Sequence, residues 1–154
     1  MILIAHRGNT DGINKDLENS LDYIKSALDS EYNVEIDVYY YKNSFYLGHD
    51  YPKFKISKKF LNNPSFWIHA KNFDALMELK KFATNFFWHE NDSYTITNRG
   101  FFWTYPNKKL GNNSIAVCLK KKHIKKNVYG ICSDFVKFYR TKNYERSNLI
   151  GRSK

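Results

Sequence analysis

Cysteine is scarce in this sequence: there are two, Cys118 and Cys132, and each lies inside a short apolar run. They form no C-x-x-C pair and have no histidine-rich neighbour. This excludes a zinc site of the usual spacing and a disulfide framework. We expect both to be buried free thiols in a reducing compartment.

Long hydrophobic runs are also missing. A membrane-spanning helix needs about 20 mainly apolar residues, and no window of the sequence approaches that length. The opening run, residues 1–5, lacks a basic start and is shorter than the apolar part of a signal peptide. We therefore expect a soluble, cytoplasmic protein with no signal peptide and no membrane span.

Acidic residues are the minority among charged residues, with 15 Asp and Glu against 25 Lys and Arg and a formal net charge of +10. A basic protein attracts anions, so nucleic acid, anionic membranes and phosphorylated substrates are the candidate partners. The densest basic segment is 120–126. It is either a solvated loop between two strands or a docking site for a phosphate polymer or an anionic membrane.

The pattern of apolar residues indicates an α/β protein. The 154 residues suit a single domain, residues 1–154, with about the last ten frayed. About eight short apolar runs are strand candidates, and helical patterns such as 17–29 alternate with the early ones, which is typical of parallel sheets. Long helical patterns are missing between the late runs, and a full (β/α)8 barrel takes ~250 residues. We predict a reduced (β/α)8 TIM-like barrel with several outer helices shortened or missing; an open sheet is the alternative.

Two carboxylates stand out on the second predicted strand. Glu35 and Asp37 are two residues apart, so their side chains share one face of the strand and can hold one divalent cation. Such a cation neutralises phosphate charge and makes a bound hydroxyl more acidic. The alternative is that this face is merely the solvent side of an alternating strand.

Four further polar residues follow predicted strands, where functional residues of parallel β/α folds lie. His6 and His49 suit acid–base catalysis, because one ring can accept a proton while the other donates one. Arg7 offers a planar fork for phosphate oxygens, and Lys71 adds a point charge for developing negative charge. Each alone is a weak signal, but together they indicate phosphodiester chemistry.

Four motifs follow one another within about the first 75 residues: His6-Arg7-Gly8, Glu18-Asn19-Ser20, Glu35-Ile36-Asp37-Val38 and Gly48-His49-Asp50. In this order they resemble the glycerophosphodiester phosphodiesterase family, phosphatidylinositol-phospholipase-C-like phosphodiesterases of which this chain would be a short, divergent member. The resemblance implies such a barrel and a divalent metal. It also implies catalysis by His6 and His49, metal binding by Glu35 and Asp37, and phosphate contact by Arg7.

The resemblance extends to supporting positions and departs at one of them. It implies that Glu18 is an active-site carboxylate near the arginine and that Asn19 lies close to the metal or phosphate. The family's third strand usually reads Glu-x-Lys, and here His69 replaces the metal-binding carboxylate while Lys71 matches. Either His69 shifts the metal preference to Mn²⁺ or Zn²⁺, or Mg²⁺ or Ca²⁺ is held with fewer protein ligands and more water, or metal binding has weakened.

The second half of the chain gives weaker signals. The aromatic segments 88–92 and 102–106 could line a substrate pocket and pack on glycerol or a sugar ring, although a packing role explains them equally well. Asp134, after the last predicted strand, resembles a family residue that usually serves structure, and it lies outside the predicted site.

These observations lead to one functional prediction and one rival. We predict metal-dependent hydrolysis of a glycerophosphodiester-like substrate to an alcohol and a phosphomonoester by acid–base catalysis from two histidines. The substrate would be a small phosphodiester or a lipid headgroup; we expect no stable nucleic-acid partner, and a homodimer is possible. The rival is a noncatalytic basic module that binds nucleic acid or an anionic surface, which explains the net charge but not the ordered motifs.

Overall fold

The structure, a computed structural model, describes residues 1–124 and 127–141. The predicted fraying of about the last ten residues lies outside the described residues, as do Lys125 and Lys126 of the basic segment. In the part of the chain that is described, no helix combines the length and the apolar character needed to cross a membrane.

Short strands dominate the described part of the chain. In chain order they are β1 Ile2–His6, β2 Asn33–Tyr41, β3 Ser44–Leu47, β4 Phe54–Ile56, β5 Phe66–Ala70, β6 Phe86–Phe87, β7 Tyr94–Ile96, β8 Phe102–Thr104, β9 Ser114–Cys118 and β10 Gly130–Ser133. The helical elements are α1 Leu21–Asp29, a 3-10 turn Phe60–Asn62, α2 Phe73–Leu79 and a helical segment over 136–141.

All ten strands belong to one sheet. Neighbouring strands are parallel along the order β6-β5-β2-β1-β10-β9-β8. At one end β7 pairs antiparallel with β8, and the antiparallel strands β3 and β4 extend from the far half of β2. The parallel order brings the carboxyl ends of β1, β2, β5 and β10 to the same edge of the sheet.

The predicted fold class is wrong, because the chain is not a (β/α)8 TIM-like barrel. It is a mixed sheet curled into a half-barrel, with helices as short as the nine residues of α1 and the seven of α2. A TIM barrel needs a helix after each strand, whereas turns and irregular chain connect β8 to β9. Asn98, which lies shortly after β7, donates a backbone hydrogen bond to Phe86 of β6 and accepts one from its N–H through the side-chain oxygen.

The helix predicted over 17–29 begins later, at Leu21. The preceding Asn19 has a positive φ of 59°, which is outside the helical region. Its side-chain amide donates a 3.0 Å hydrogen bond to Oδ2 of Asp37, and its side-chain oxygen accepts one of 3.0 Å from the Asp37 backbone N–H. Contact with the buried carboxylate therefore holds Asn19 in a non-helical conformation, and α1 starts only after it.

Apolar side chains cover both faces of the sheet, as the alternation along each strand requires. One cluster packs against α1 and α2 and includes Ile24 and Ile36, while a second, on the opposite face, includes Trp67 and Cys132. Cys132 is buried and Cys118 is partly buried, and both are free thiols. Packing on both faces fixes the strands whose ends form the site.

Candidate functional site

The ends of three adjacent strands form the centre of the site. β1, β2 and β5 run parallel and side by side, so their carboxyl ends meet. In the register of the sheet His6 lies opposite Glu35, and Asp37 lies opposite His69. The structure therefore brings together predicted catalytic and metal-binding residues from three separate stretches of the chain.

His6 lies between two carboxylates. Its Nδ1 donates a 2.8 Å hydrogen bond to Oδ1 of Asp134, and its Nε2 lies 3.9 Å from Oε2 of Glu35. Burial would lower the pKa of His6, but the hydrogen bond to Asp134 and the charge of Glu35 outweigh burial and raise it above the ordinary value. His6 can therefore carry a proton near neutral pH, with Nε2 as the atom that can exchange it.

Asp134 is a site residue that the sequence prediction left out as structural. It directly follows β10, and because β10 pairs with β1, its carboxylate reaches His6. Oδ1 also accepts a 2.8 Å hydrogen bond from Nδ2 of Asn9. Burial opposes ionisation, but these contacts outweigh it and lower the pKa of Asp134. Its position just after a buried parallel strand was the signal that could have identified it.

Asp37 is fully buried and serves as the anchor for three cationic side chains. Its Oδ2 lies 3.0 Å from Nε of Arg7. Its Oδ1 lies 3.6 Å from Nζ of Lys71 and accepts a 3.0 Å hydrogen bond from Nδ1 of His69. Burial alone would raise the pKa of Asp37, but the hydrogen bond and these charges outweigh it, and the pKa lies well below its usual range. Asp37 therefore stays ionised and orients both predicted phosphate-binding side chains.

His69 uses both ring nitrogens inside the protein. While Nδ1 donates to Asp37, Nε2 donates a 3.2 Å hydrogen bond to the backbone carbonyl of His89. Carboxylates and carbonyls only accept hydrogen bonds, so this arrangement requires the protonated ring. A metal ligand must be the neutral ring, so in this arrangement His69 acts as a cation beside Asp37.

Glu35 is a buried carboxylate whose negative charge is only weakly neutralised by the neighbouring side chains. It accepts a 3.2 Å hydrogen bond from the backbone N–H of Arg7, and the nearest ring nitrogens, on His6 and His69, are 3.9 and 4.0 Å from its oxygens. Burial and, after it, the charge of Asp37 raise the pKa of Glu35. A cation bound beside Glu35 would relieve both effects.

Glu35→Gln is expected to stabilise the metal-free protein at neutral pH. Because the folded-state pKa of Glu35 is raised, its ionisation costs folding free energy once the pH exceeds the unfolded value of about 4.3, and the full cost is present above the folded pKa. Urea unfolding in EDTA should show the variant to be more stable at about pH 7, with the difference shrinking as the pH falls from the folded pKa toward about 4.3 and absent below that value. The exposed Glu90→Gln is the matched control, and a less stable Glu35→Gln at neutral pH would contradict the argument.

Glu18 and Asn19 reach the site from the turns before α1. Glu18 accepts a 3.1 Å hydrogen bond from Nη1 of Arg7 through Oε2 and one of 2.8 Å from Nδ2 of Asn9 through Oε1. Asn19 binds Asp37 as described above. Glu18 thus lies beside Arg7, and Asn19 lies beside Asp37, a predicted metal-binding carboxylate.

His49 lies on the turn after β3, and its Nδ1 donates a 2.6 Å hydrogen bond to the exposed carboxylate of Asp50. The preceding Gly48 has a φ of 149°, and a Cβ there would lie 2.1 Å from the backbone oxygen of Tyr51. Only glycine therefore permits this turn. Because of this turn, His49 lines the same cavity as His6, although His49 is the more exposed of the two.

Two cavities open at the site. The larger, of about 420 Å³, is lined at its polar end by the predicted residues His6, Arg7, Glu35, His49, His69 and Lys71. The smaller, of about 330 Å³, shares Arg7 and His49 with the larger one. Asp37 is too deeply buried to line either cavity, and it acts through the side chains that it orients.

The other end of the larger cavity is aromatic, and its lining includes residues of both segments 88–92 and 102–106. The rings of Phe87 and His89 are parallel to that of His69, with interplanar angles of 5° and 2°, and Phe87 stacks on Trp103 with centroids 4.4 Å apart. Tyr105 meets His89 edge-on at 5.3 Å. Burial, followed by the positive charges nearby, lowers the pKa of His89 to about 4, so its ring is neutral at neutral pH.

Three of the predicted residues form a group that could hold a divalent cation. Glu35, Asp37 and His69 are buried and each offers a ligand atom within 4.8 Å of the others. Two carboxylates suit Mg²⁺ or Ca²⁺, and the poorly neutralised Glu35 gives a cation a favourable position. Because His69 donates to Asp37, it would have to lose a proton before it could bind a metal, so the arrangement favours the two carboxylates with water over a three-ligand Mn²⁺ or Zn²⁺ site.

Comparison of this chain with protein families, with curated proteins and with solved structures finds no match. The resemblance to glycerophosphodiester phosphodiesterases is therefore carried by the four motifs alone.

Proposed function

We propose that the protein is a phosphodiesterase that uses a divalent cation to hydrolyse a glycerophosphodiester-like substrate, a small diester or a lipid headgroup, to an alcohol and a phosphomonoester. The observation that carries the proposal is the setting of His6, whose Nδ1 is bound to Asp134 while Nε2 faces Glu35 at the cavity wall. A histidine held by a carboxylate at one nitrogen is suited to transfer protons at the other. The net charge of +10 favours an anionic substrate.

Arg7 and Lys71 are the proposed phosphate-binding groups. Ion pairs of 3.0 Å to Asp37 and 3.1 Å to Glu18 orient the guanidinium before a substrate arrives, and Lys71 lines the same cavity. Positive groups that are already oriented stabilise developing charge on phosphate oxygens without reorganisation. This supports a phosphate position at the polar end of the larger cavity.

His6 and His49 supply the proton transfers in the proposed reaction. One ring takes a proton from water as the water oxygen bonds to phosphorus. The bond from phosphorus to the alcohol oxygen then breaks, and the other ring donates a proton to that oxygen, so that an alcohol and a phosphomonoester leave. The raised pKa of His6 suits the proton-donating role near neutral pH.

A divalent cation, when bound, would neutralise charge on the phosphate and polarise it for attack. We propose that Glu35 and Asp37 hold it, as Mg²⁺ or Ca²⁺ with water completing the coordination. His69 would join as a ligand only after giving up its hydrogen bond to Asp37, and Mn²⁺ or Zn²⁺ would then be preferred.

Turnover of glycerophosphocholine and bis-p-nitrophenyl phosphate tests this function, measured in EDTA and in Mg²⁺, Ca²⁺, Mn²⁺ or Zn²⁺. We expect turnover in Mg²⁺ or Ca²⁺ that EDTA abolishes. Highest turnover in Mn²⁺ or Zn²⁺ would keep the function and assign His69 as a ligand. No turnover with any cation, together with no cation binding by calorimetry, would refute the proposal and favour the basic binding module.

A further inference from the structure

The two cavities of the site meet at the proposed phosphate position. Both are lined by Arg7 and His49, one of which is a proposed phosphate ligand and the other a proposed proton-transfer group. A phosphodiester has two ester oxygens that lead away from phosphorus in different directions. A phosphate at Arg7 and His49 would therefore direct its two alcohols into different cavities.

The larger cavity has a wall of rings beyond its polar end. Phe87, His89, Trp103 and Tyr105 line it, with Val117 and Leu119 completing the apolar part. Glu90 is the charged side chain that this part of the lining contributes. Ligand sites with aromatic walls and a polar group at one end bind flat apolar groups whose orientation the polar end sets.

The smaller cavity has a different chemistry. Beyond Arg7 and His49 its lining includes Lys15, Glu18 and Lys53, and it has no aromatic cluster comparable to that of the larger cavity in the described part of the chain. The exposed ring of Tyr51 lies at this cavity. Its charged and polar lining suits a hydroxylated alcohol or a charged headgroup.

We infer that the natural substrate is an asymmetric phosphodiester, in which one alcohol carries a flat aromatic ring that occupies the larger cavity and the other alcohol is polar and occupies the smaller one. This inference rests on the proposed function for the position of the phosphate. Tyr105 is the ring that a ligand can meet most freely, because it is 41% exposed while Trp103 and Phe87 are buried in the core. The aromatic cavity thereby selects the ring-bearing alcohol.

The test is a binding measurement that needs no turnover. Methyl benzylphosphonate and methyl methylphosphonate are both monoanionic diester analogues with a P–C bond in place of one ester bond, and only the first carries a ring. Calorimetry in Mg²⁺ should give the benzyl compound an affinity at least about tenfold higher, since ring burial and ring stacking together exceed the 1.4 kcal/mol that corresponds to a factor of ten. Equal affinities, or no binding of either compound, would overturn the inference.

Two tyrosine variants test which of the two cavities binds the aromatic ring. Tyr105→Ala should reduce the preference for the benzyl compound to about threefold or less, whereas Tyr51→Ala, which removes a more exposed tyrosine at the smaller cavity, should leave it unchanged. An unchanged preference in Tyr105→Ala would overturn the assignment of the ring to the larger cavity. Failure of the function is distinct: ring-selective binding without hydrolysis of any diester refutes the phosphodiesterase alone, while hydrolysis without ring selectivity refutes the inference alone.

Discussion

His6→Ala is expected to lower kcat/KM for phosphodiester hydrolysis by about 100- to 10,000-fold, the usual contribution of a positioned acid–base group. The variant removes the ring that Asp134 orients and leaves the phosphate-binding side chains in place. Initial rates with glycerophosphocholine in the best cation measure the effect, because its alkoxide leaving group needs the donated proton. His123→Ala, an exposed histidine far along the chain, is the matched control and should keep full activity. A loss of less than about tenfold in His6→Ala would remove His6 from the mechanism.

The pH dependence of Asp134→Asn tests whether His6 works through its carboxylate partner. Part of the rise in the pKa of His6 comes from the hydrogen bond to Asp134, while burial acts in the opposite direction. Without the carboxylate, the pKa of His6 falls, and the limb of the pH–rate profile that reports it should move to lower pH. An unchanged profile with a uniformly reduced rate would mean that Asp134 only stabilises the fold.

Asp37→Ala is expected to destabilise the protein by about 3–5 kcal/mol, the cost of leaving buried cations without their partner. Arg7, Lys71 and His69 all depend on this carboxylate, and it is fully buried. Urea unfolding monitored by tryptophan fluorescence gives the free energy of unfolding. Because the pKa of Asp37 is lowered in the folded state, its contribution is present above the unfolded value of about 3.9 and is lost as the pH falls below that value.

Asp50→Ala is the control for that experiment, because Asp50 has an exposed side chain and contacts a single histidine. Its stability should stay within about 0.5 kcal/mol of the wild type. If Asp37→Ala proved as stable as Asp50→Ala, the charges of Arg7 and Lys71 would not be anchored by Asp37. The proposed orientation of the phosphate-binding groups would then lose its basis.

The centre of the site could be predicted from the sequence because the positions of its residues follow from patterns within single strands. Glu35 and Asp37 share a face since side chains alternate along a strand, and His6 ends a buried run whose parallel pairing follows from strand–helix alternation. The position of Asp134 at a strand end can be read from the sequence, but its contact with His6 could not be predicted in the same way. Its contact with His6 spans 128 positions and depends on β10 pairing with β1, which no local pattern specifies.

The fold class could not be predicted because the way in which a sheet ends is a global property. The sequence indicates strands near 94–97 and 100–104, but their antiparallel pairing as β7 and β8 depends on a tight turn, not on hydrophobic pattern. The start of α1 was misplaced for a similar reason. The first turn of the predicted helix contains Glu18 and Asn19. These two residues instead contact Arg7 and Asp37, which belong to other parts of the chain.

The pairing of β1 with β10 has a consequence for synthesis on the ribosome. At about 5–20 residues per second, roughly 6–26 s separate the addition of His6 from that of Asp134. During this interval the N-terminal strand has one of its two neighbours, β2, but not the other. The nascent chain therefore cannot form the hydrogen bond between His6 and Asp134 until residues 1–134 have been made, and until then one edge of β1 lacks its partner strand.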